Sequence, residues 1–308
     1  MAHERLQTRS SCVGAGRIRE ETRGAVVQAV GEAVFRCPAC RGPLEDFRCS
    51  ACRREYSSPD GIPDLLGSGL LARRCREIGA YYDTLYNART DVWREQGHSA
   101  EFTRYVVDLV EALGPGRYLD VGCGEGFLLS AARKMEPVGV DLSRQALLRA
   151  RARAGGAVAL AAAERLPFAD SAFDVVTSVG AMEHFLDDVL ATAEIRRVLK
   201  LGGRYILALL VEVTPTERLR IKADEFLWPR PRPILLARWL LTKARARVPG
   251  EPGAGLPQQP VQNRYHPRRV RALFRRSGFR VVRLITKAAC PEAPLPGHYM
   301  RFYCLEAV

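Results

Sequence analysis

The stretch that decides the fold is Tyr118 to Phe127, which reads YLDVGCGEGF. Its first four residues form a short apolar run, which is typical of a buried parallel strand. Glycines then alternate at Gly122, Gly124 and Gly126, and an apolar segment follows that predicts a helix. Glycine adopts positive φ and, because it has no Cβ, lets the backbone lie against a ligand. A strand that runs through such a turn into a helix N-terminus predicts a nucleotide or nucleoside site.

The spacing of these glycines argues against a dinucleotide. A fold that binds NAD or FAD uses G-x-G-x-x-G/A, so that the pyrophosphate sits on the helix N-terminus. In this chain the third glycine comes one residue early, and Phe127 stands where the third small residue belongs. The stretch instead resembles motif I of the class I S-adenosylmethionine (SAM) methyltransferases, in which the loop curls around the amino-acid end of SAM.

A second apolar run ends in an acidic residue. Residues 137–143 read PVGVDLS, which predicts a strand with Asp141 at its tip. Asp141 follows Asp120 by about 20 residues, the separation expected for a carboxylate that reaches ribose hydroxyls from the end of the second strand. Later motifs extend the resemblance to the ubiquinone and small-molecule type of these methyltransferases over about residues 101–211: ERLPF at 164–168, SAFDVV at 171–176, MEHF at 182–185 and RVLKLGG at 197–203.

This resemblance implies which residues bind the cofactor. The methionine part of SAM would lie, mostly against backbone, on Asp120, Gly122, Cys123, Gly124 and Gly126. Asp141 would take the ribose hydroxyls and Leu142 would pack on the adenine. Relatives often carry an acidic residue where this chain has Ala162, so Ala163 and Glu164 are left to cover the adenine edge.

The alternation of strands and helices predicts an α/β fold with a doubly wound, Rossmann-like sheet. Five strands are predicted near 118–122, 137–141, 157–161, 173–179 and 203–210. Four helices are predicted near 101–113, 126–135, 143–154 and 185–199. By the resemblance, two final strands near 279–286 and 299–307 pair antiparallel at the sheet edge, giving seven strands.

A small four-cysteine zinc ribbon is predicted ahead of this sheet, at residues 34–67. Two C-x-x-C pairs, with eight residues between them, place four thiolates for tetrahedral coordination by Cys37, Cys40, Cys49 and Cys52. A redox pair or an iron–sulfur cluster is the alternative interpretation. The segment also resembles the zinc-ribbon activator subunit of several RNA and protein methyltransferases, which implies that it docks on the neighbouring domain or presents substrate to it.

Three further regions complete the predicted organisation. Residues 1–33 are predicted to be a loosely ordered arm with at most one short helix. Residues 68–100 form a linker whose aromatic side chains either cap SAM or pack on a helix surface; they are Tyr81, Tyr82, Tyr86 and Trp93. The methyltransferase domain is assigned to 101–308, with a lid insertion at 212–265 over the substrate. In the insertion, a basic amphipathic helix at 234–246 is interpreted as a lid, or as a contact with an anionic membrane surface.

The net charge is +13, and it comes mostly from arginine. Such a charge favours an anionic partner such as nucleic acid, an acidic membrane or a phosphorylated substrate, although compositional drift explains it equally well. No signal-peptide core and no stretch of about 20 apolar residues is present, so a cytoplasmic protein without a transmembrane segment is expected.

Methyl transfer from a sulfonium needs orientation more than acid or base catalysis, since the leaving group requires no help. If a base is required, His184 is the nearest candidate, and the alternative is a histidine that orders the helix start. Tyr265 and His266 are further candidates from the insertion. Two acceptors are carried forward: a small-molecule or lipid-like compound, which is preferred, and rRNA or tRNA bound by the ribbon and the basic surface. A non-catalytic scaffold is the third interpretation.

Overall fold

The computed structural model describes residues 34–214, 217, 219, 259–287, 289–290, 292–295 and 299–308. The predicted N-terminal arm and the predicted helix at 234–246 lie outside these residues. In the described part of the chain, no helix is both long enough and apolar enough to cross a membrane.

The N-terminal region contains a short hairpin and three helices. The hairpin pairs β1 (Leu44–Glu45) with β2 (Arg48–Cys49). The helices are α1 (Leu70–Ala88), α2 (Val92–Glu95) and α3 (Ala100–Glu111). Helix α3 begins where predicted because the Ser99 hydroxyl accepts a hydrogen bond from Phe102 N at 3.1 Å, which satisfies one of the unpaired amides of the first turn.

A seven-stranded sheet follows. Its strands are β3 (Arg117–Val121), β4 (Glu136–Asp141), β5 (Ala157–Leu160), β6 (Phe173–Val179), β7 (Leu199–Leu210), β8 (Phe279–Thr286) and β9 (Met300–Ala307). The strand order is β5-β4-β3-β6-β7-β9-β8. The first five strands in this order, β5-β4-β3-β6-β7, pair in parallel. Strand β9 pairs antiparallel with both β7 and β8. The predicted seven-stranded α/β fold is therefore confirmed.

Helices cover both faces of this sheet. They are α4 (Phe127–Ala131), α5 (Arg144–Ala154), α6 (Asp188–Val198) and α7 (Pro267–Arg276). Helices α1, α3, α4 and α5 contribute to one buried apolar cluster, and α6 and α7 contribute to the other. Helix α4 is shorter than predicted: it ends at Ala131, and β4 already begins at Glu136.

The ribbon region docks on the edge of the sheet at β5. Leu65 N donates to Leu160 O at 2.8 Å, and Leu160 N donates to Pro63 O at 3.0 Å. The Phe35 ring stacks on Phe168 with centroids 5.7 Å apart. Because β5 is an edge strand, these bonds cover backbone groups that would otherwise be exposed for pairing.

Candidate functional site

A cleft with an empty volume of about 930 Å³ lies at the carboxyl ends of β3, β4, β5 and β6. In a doubly wound sheet this is the edge where ligands bind, because the loops after the strands meet there. The cleft is lined by residues of the glycine loop, of the turns after β4, β5 and β6, and of α1.

The glycine loop that follows β3, residues 122–126, has two positions that exclude a side chain. Gly122 has φ +78°, and a Cβ there would lie 2.4 Å from the Ala181 Cβ. Gly126 has φ +74°, and a Cβ there would lie 2.8 Å from the Ala150 Cα in α5. Glycine at both positions therefore allows the turn and the close packing of the loop against its neighbours.

Asp141, at the end of β4, holds the glycine loop through its carboxylate. Its Oδ2 accepts a hydrogen bond from Gly124 N at 2.9 Å, and its Oδ1 accepts one from Ser143 N at 2.9 Å. Burial raises the pKa of Asp141 above its ordinary value, and the backbone bonds act in the opposite direction. Asp141, Leu142, Gly122, Cys123 and Gly124 all line the cleft.

Two predicted cofactor residues, Asp120 and Gly126, are placed differently, because neither lines the cleft. The Asp120 carboxylate is 2% exposed and accepts a hydrogen bond from the Thr177 hydroxyl at 2.6 Å. The Tyr118 hydroxyl lies 2.7 Å from the same Thr177 oxygen. Burial raises the pKa of Asp120 to about 7. Asp120 thus belongs to a buried polar chain that joins β3 to β6.

The turn after β5 supplies Ala163 and Glu164, and both line the cleft. The Glu164 Oε1 accepts hydrogen bonds from Leu186 N at 2.7 Å and from Asp187 N at 3.1 Å. Burial raises the pKa of Glu164. Its carboxylate therefore fixes the segment before α6, while Ala163 offers its backbone and methyl group to the cleft.

Helix α1 forms one wall of the cleft. Four of its residues face the cleft at helical spacing: Cys75, Ile78, Tyr82 and Tyr86. The helix lies very close to the turn after β4, since a Cβ on Gly79 would be 2.3 Å from Leu142 O. The Asp83 carboxylate also accepts hydrogen bonds from the Ser143 hydroxyl at 2.6 Å and from Gln145 N at 3.0 Å. The predicted aromatic segment thus packs on the turn after β4 and forms part of the cleft lining.

His184 lines the cleft in the short helical turn after β6. Its Nδ1 lies 2.7 Å from Val261 O. A carbonyl only accepts, so Nδ1 carries the proton and Nε2 keeps a lone pair in the neutral ring. Burial lowers the pKa of the imidazole below its ordinary value, which favours this neutral form.

The other two candidate catalytic residues lie outside the cleft. Tyr265 is fully buried, and its hydroxyl donates to Met182 O at 3.2 Å. His266 is exposed, and its Nδ1 accepts a hydrogen bond from Arg268 N at 3.3 Å, which caps α7. Each side chain thus makes a hydrogen bond within the fold, Tyr265 to Met182 and His266 to Arg268, and neither reaches the cleft.

Several cleft residues were not singled out from the sequence. They include Cys75, Ile78, Gln96, Glu125 and Gln259. The first two continue the helical spacing of Tyr82 and Tyr86, so a periodicity analysis of residues 70–88 predicts them. Gln259 has no comparable local signal, because it reaches the cleft through the fold of a distant segment.

The four cysteines of the ribbon come together as predicted. Their sulfur atoms all lie within 4.8 Å of one another. Tetrahedral zinc with bonds of about 2.3 Å places its sulfur ligands about 3.8 Å apart, so this set fits zinc. The Tyr56 hydroxyl lies 3.0 Å from Cys37 Sγ. A Cβ on Gly42 would lie 3.1 Å from Cys49 Sγ and 3.3 Å from Cys40 Sγ, so glycine lets the sulfurs converge.

Sequence comparisons match the central part of the chain. Residues 119–207 match a family model described as a methyltransferase domain. A demethylmenaquinone methyltransferase from Symbiobacterium thermophilum is 34% identical over 179 residues, which cover 54% of this chain and 69% of that protein. A 27-O-demethylrifamycin SV methyltransferase from Amycolatopsis mediterranei is 29% identical over 155 residues, which cover 42% of this chain and 57% of that protein.

A solved structure is also similar. It is the magnesium protoporphyrin IX methyltransferase of Synechocystis, crystallised with bound SAH. It aligns with a TM-score of 0.45 and 14% sequence identity, and the alignment covers 79% of this chain and 90% of that one. The chain spans about three fifths of the length of three curated relatives that it matches: 57%, 60% and 58%.

Proposed function

Because this chain belongs to the class I SAM-dependent methyltransferase family, we propose that it binds SAM in the cleft and transfers the methyl group to a small-molecule or lipid-like acceptor. The observation that carries this proposal is the bond between Gly124 N and the Asp141 carboxylate at 2.9 Å, at the carboxyl ends of β3 and β4. This bond holds the glycine loop and the acidic strand end at one edge of the sheet, where adenosine-containing ligands bind in this type of fold.

The cofactor would lie along the turns of β3, β4 and β5. Its methionine part would contact the backbone of Gly122, Cys123 and Gly124. Its ribose would hydrogen-bond to Asp141, and its adenine would lie between Leu142 and Ala163. Gly122 and Gly124 support this placement, since both line the cleft and present backbone without a Cβ.

The charge of the cleft supports a neutral acceptor. Among the described residues, no lysine or arginine lines the cleft, although the whole chain carries 47 of them. The Glu125 carboxylate is neutralised by Arg149 at 2.7 Å, and the Glu164 carboxylate accepts from backbone amides. An anionic acceptor would lose its hydration in this cleft, and no lysine or arginine of the described lining would compensate for that loss.

The remaining chemistry is orientation and proton removal. SAM supplies an activated methyl group on a positively charged sulfur, so the protein has to align the acceptor and exclude water. Tyr82, Trp93 and Phe185 line the cleft and exclude water from it. Where the accepting atom carries a proton, His184 Nε2 is the base that we propose, since its lone pair is kept by the bond from Nδ1 to Val261 O.

The ribbon has a supporting role in this proposal. We assign a structural zinc ion to Cys37, Cys40, Cys49 and Cys52, and its chemistry is that of a closed four-thiolate site. The pairing of Pro63 and Leu65 with Leu160 supports a ribbon that braces the adenine side of the cleft, as an activator subunit would from a separate chain.

The experiment that tests the proposed function uses SAM labelled in its methyl group, purified protein and an extract of cells that lack the gene. Label in an organic-soluble product that resists RNase supports a small-molecule acceptor. Label in a precipitate that RNase releases contradicts it and makes RNA the acceptor. Absence of labelling, together with absence of SAM binding by calorimetry, would make the chain a non-catalytic scaffold.

The matched variants for this experiment are Asp141→Asn and Asp108→Asn. Asp141 lines the cleft, whereas Asp108 is exposed on α3. Both changes remove one carboxylate, so loss of labelling in Asp141→Asn alone assigns the activity to this cleft. Equal labelling by both variants would place the activity elsewhere.

A further inference from the structure

Three polar side chains of the cleft lining lie close together: Tyr82, His184 and Gln259. The Tyr82 hydroxyl donates to Gln259 Oε1 at 2.8 Å. The Tyr82 and His184 rings lie edge to face, with centroids 6.3 Å apart. Tyr82 belongs to α1 and Gln259 to the chain that returns from the insertion, so the two residues join opposite sides of the cleft.

The segment that carries Gln259 is held in place by its own bonds. Val261 O accepts from His184 Nδ1 at 2.7 Å. Asn263 N donates to Glu183 O at 2.7 Å, and the Asn263 side-chain amide donates to Phe185 O at 2.8 Å. Gln259 is therefore a positioned side chain, and a ligand that meets it does not have to order a free loop.

The bonds already made determine what these side chains can still offer. The Tyr82 O–H is used in the hydrogen bond to Gln259 Oε1. Lone pairs on the phenol oxygen and the N–H groups of Gln259 Nε2 remain available to a ligand. His184 keeps its lone pair on Nε2. Burial raises the pKa of Tyr82 and lowers that of His184, so both side chains are neutral near pH 7. The group thus presents both donors and acceptors without a net charge.

We propose that Tyr82 and Gln259 bind a hydroxyl group on a neutral, flat ring compound and so select the methyl acceptor. This inference rests on the proposed function and adds the acceptor class to it. A hydroxyl donates one hydrogen bond and accepts others, which matches the lone pairs and N–H groups that the pair offers. Phe185 and Leu186 follow His184 in the chain and line the same cleft, and their apolar side chains suit an apolar ring.

The test measures binding to the SAH-loaded protein by titration calorimetry, with 1-naphthol and 1-methylnaphthalene as probes. The two probes have the same ring and differ in the hydroxyl group. We expect wild-type protein to bind 1-naphthol about tenfold more tightly, because one or two neutral hydrogen bonds to the hydroxyl are gained. We also expect 1-naphthoate to bind at least about tenfold more weakly than 1-naphthol, because no lysine or arginine of the described cleft lining compensates its charge.

The variants are Tyr82→Phe and Gln259→Leu, and the control is Tyr81→Phe, which changes the neighbouring tyrosine of α1 outside the cleft lining. We expect the preference for 1-naphthol to fall below about threefold in both variants and to persist in the control. Gln259→Leu lies outside α1, so it reports on the pair even where Tyr82→Phe disturbs the helix.

Equal binding of the two neutral probes by wild-type protein would overturn the inference, and so would a preference that survives in Gln259→Leu. Failure of wild-type protein to bind SAH contradicts the proposed function itself. Normal SAH binding without the hydroxyl preference contradicts the acceptor class alone. The two failures are therefore distinguished within one titration series.

Discussion

The amide of Gly124 donates a hydrogen bond to Asp141 Oδ2 over 2.9 Å, which joins the loop after β3 to the end of β4. The other oxygen of the same carboxylate accepts from Ser143 N at 2.9 Å. Asp141 can therefore order the loop on one side and offer lone pairs to ribose hydroxyls on the other. A neutral amide at this position cannot do both, because its NH₂ group faces one of these donors.

We expect Asp141→Asn to raise the Kd for SAM by about 10- to 100-fold, since hydrogen bonds to a charged acceptor contribute more than neutral ones. Titration calorimetry with SAM and with SAH measures this change. The surface variant Asp108→Asn should bind both ligands as the wild-type protein does. A Kd within about twofold of wild type in Asp141→Asn would exclude Asp141 from the cofactor site.

The sheet and the part of the cleft formed by the turns after β3 and β4 were predictable because their signals are local. A buried strand, a glycine turn and an acidic strand end each occupy a few adjacent residues, and parallel strands bring such turns to one edge. Asp141, Leu142 and the loop glycines follow from this rule. Asp120 shows its limit, because alternate residues of a strand point to opposite faces, and its carboxylate bonds to Thr177 inside the fold.

The part of the cleft formed by Tyr82 and Gln259 was not predictable, because long-range packing builds it. Gln259 meets Tyr82 across 177 residues of chain, and no local pattern indicates that pairing. Tyr265 and His266 were selected for their chemistry near the end of the insertion. A helix-capping interpretation of His266 before Pro267 was available, since proline favours the first position of a helix.

Two glycines with similar backbone angles should respond differently to alanine. Gly126 has φ +74° and its Cβ would lie 2.8 Å from Ala150 Cα, whereas Gly114 has φ +86° with nothing within 4 Å of its Cβ position. Positive φ costs an alanine about 1–2 kcal/mol at either site. Overpacking against α5 should add about 1–3 kcal/mol at Gly126 alone.

Urea unfolding of Gly126→Ala and Gly114→Ala measures these costs as free energies of unfolding. Gly126→Ala should also weaken SAM binding, because α4 and α5 would have to move apart next to the loop. Equal destabilisation by the two alanines would mean that the contact with Ala150 relaxes without cost.

The ribbon should carry one zinc ion per chain, and Cys49→Ser should lose it. Removal of one thiolate from a four-thiolate site leaves the hairpin without its main crosslink, so we expect Tm to fall by about 5 °C or more. Cys290→Ser changes a half-buried cysteine outside the cluster and is the control. Metal content by mass spectrometry and Tm by calorimetry are the measurements.

SAM affinity should fall together with the metal, because Leu65 pairs with Leu160 at the strand that leads to Ala163. If Cys49→Ser still held one zinc ion per chain, as the wild-type protein should, the four-thiolate site would be contradicted. Loss of zinc with unchanged SAM affinity would mean that the ribbon does not support the adenine side of the cleft.

Stability should depend on pH through His98. Its ring stacks on Trp93 at 4.0 Å, its Nε2 has no hydrogen-bond partner, and burial lowers its pKa to about 4. Between about pH 6.5 and pH 4 the unfolded chain binds a proton that the folded chain does not, so stability falls as the pH falls through this window. The loss relative to His98→Gln should reach about 3 kcal/mol at pH 4.

Urea unfolding of wild-type protein, His98→Gln and Phe102→Leu at intervals from pH 8 to pH 4 tests this linkage. Burial also raises the pKa of Asp120 and of Glu183 to about 7, which acts in the opposite direction. Those contributions are present in all three proteins and cancel in the differences. Phe102 neighbours His98 with ring centroids 4.8 Å apart and does not titrate, so the cost of Phe102→Leu should stay constant with pH. A constant difference between wild type and His98→Gln would show that His98 gains a proton in the folded protein as readily as in the unfolded chain.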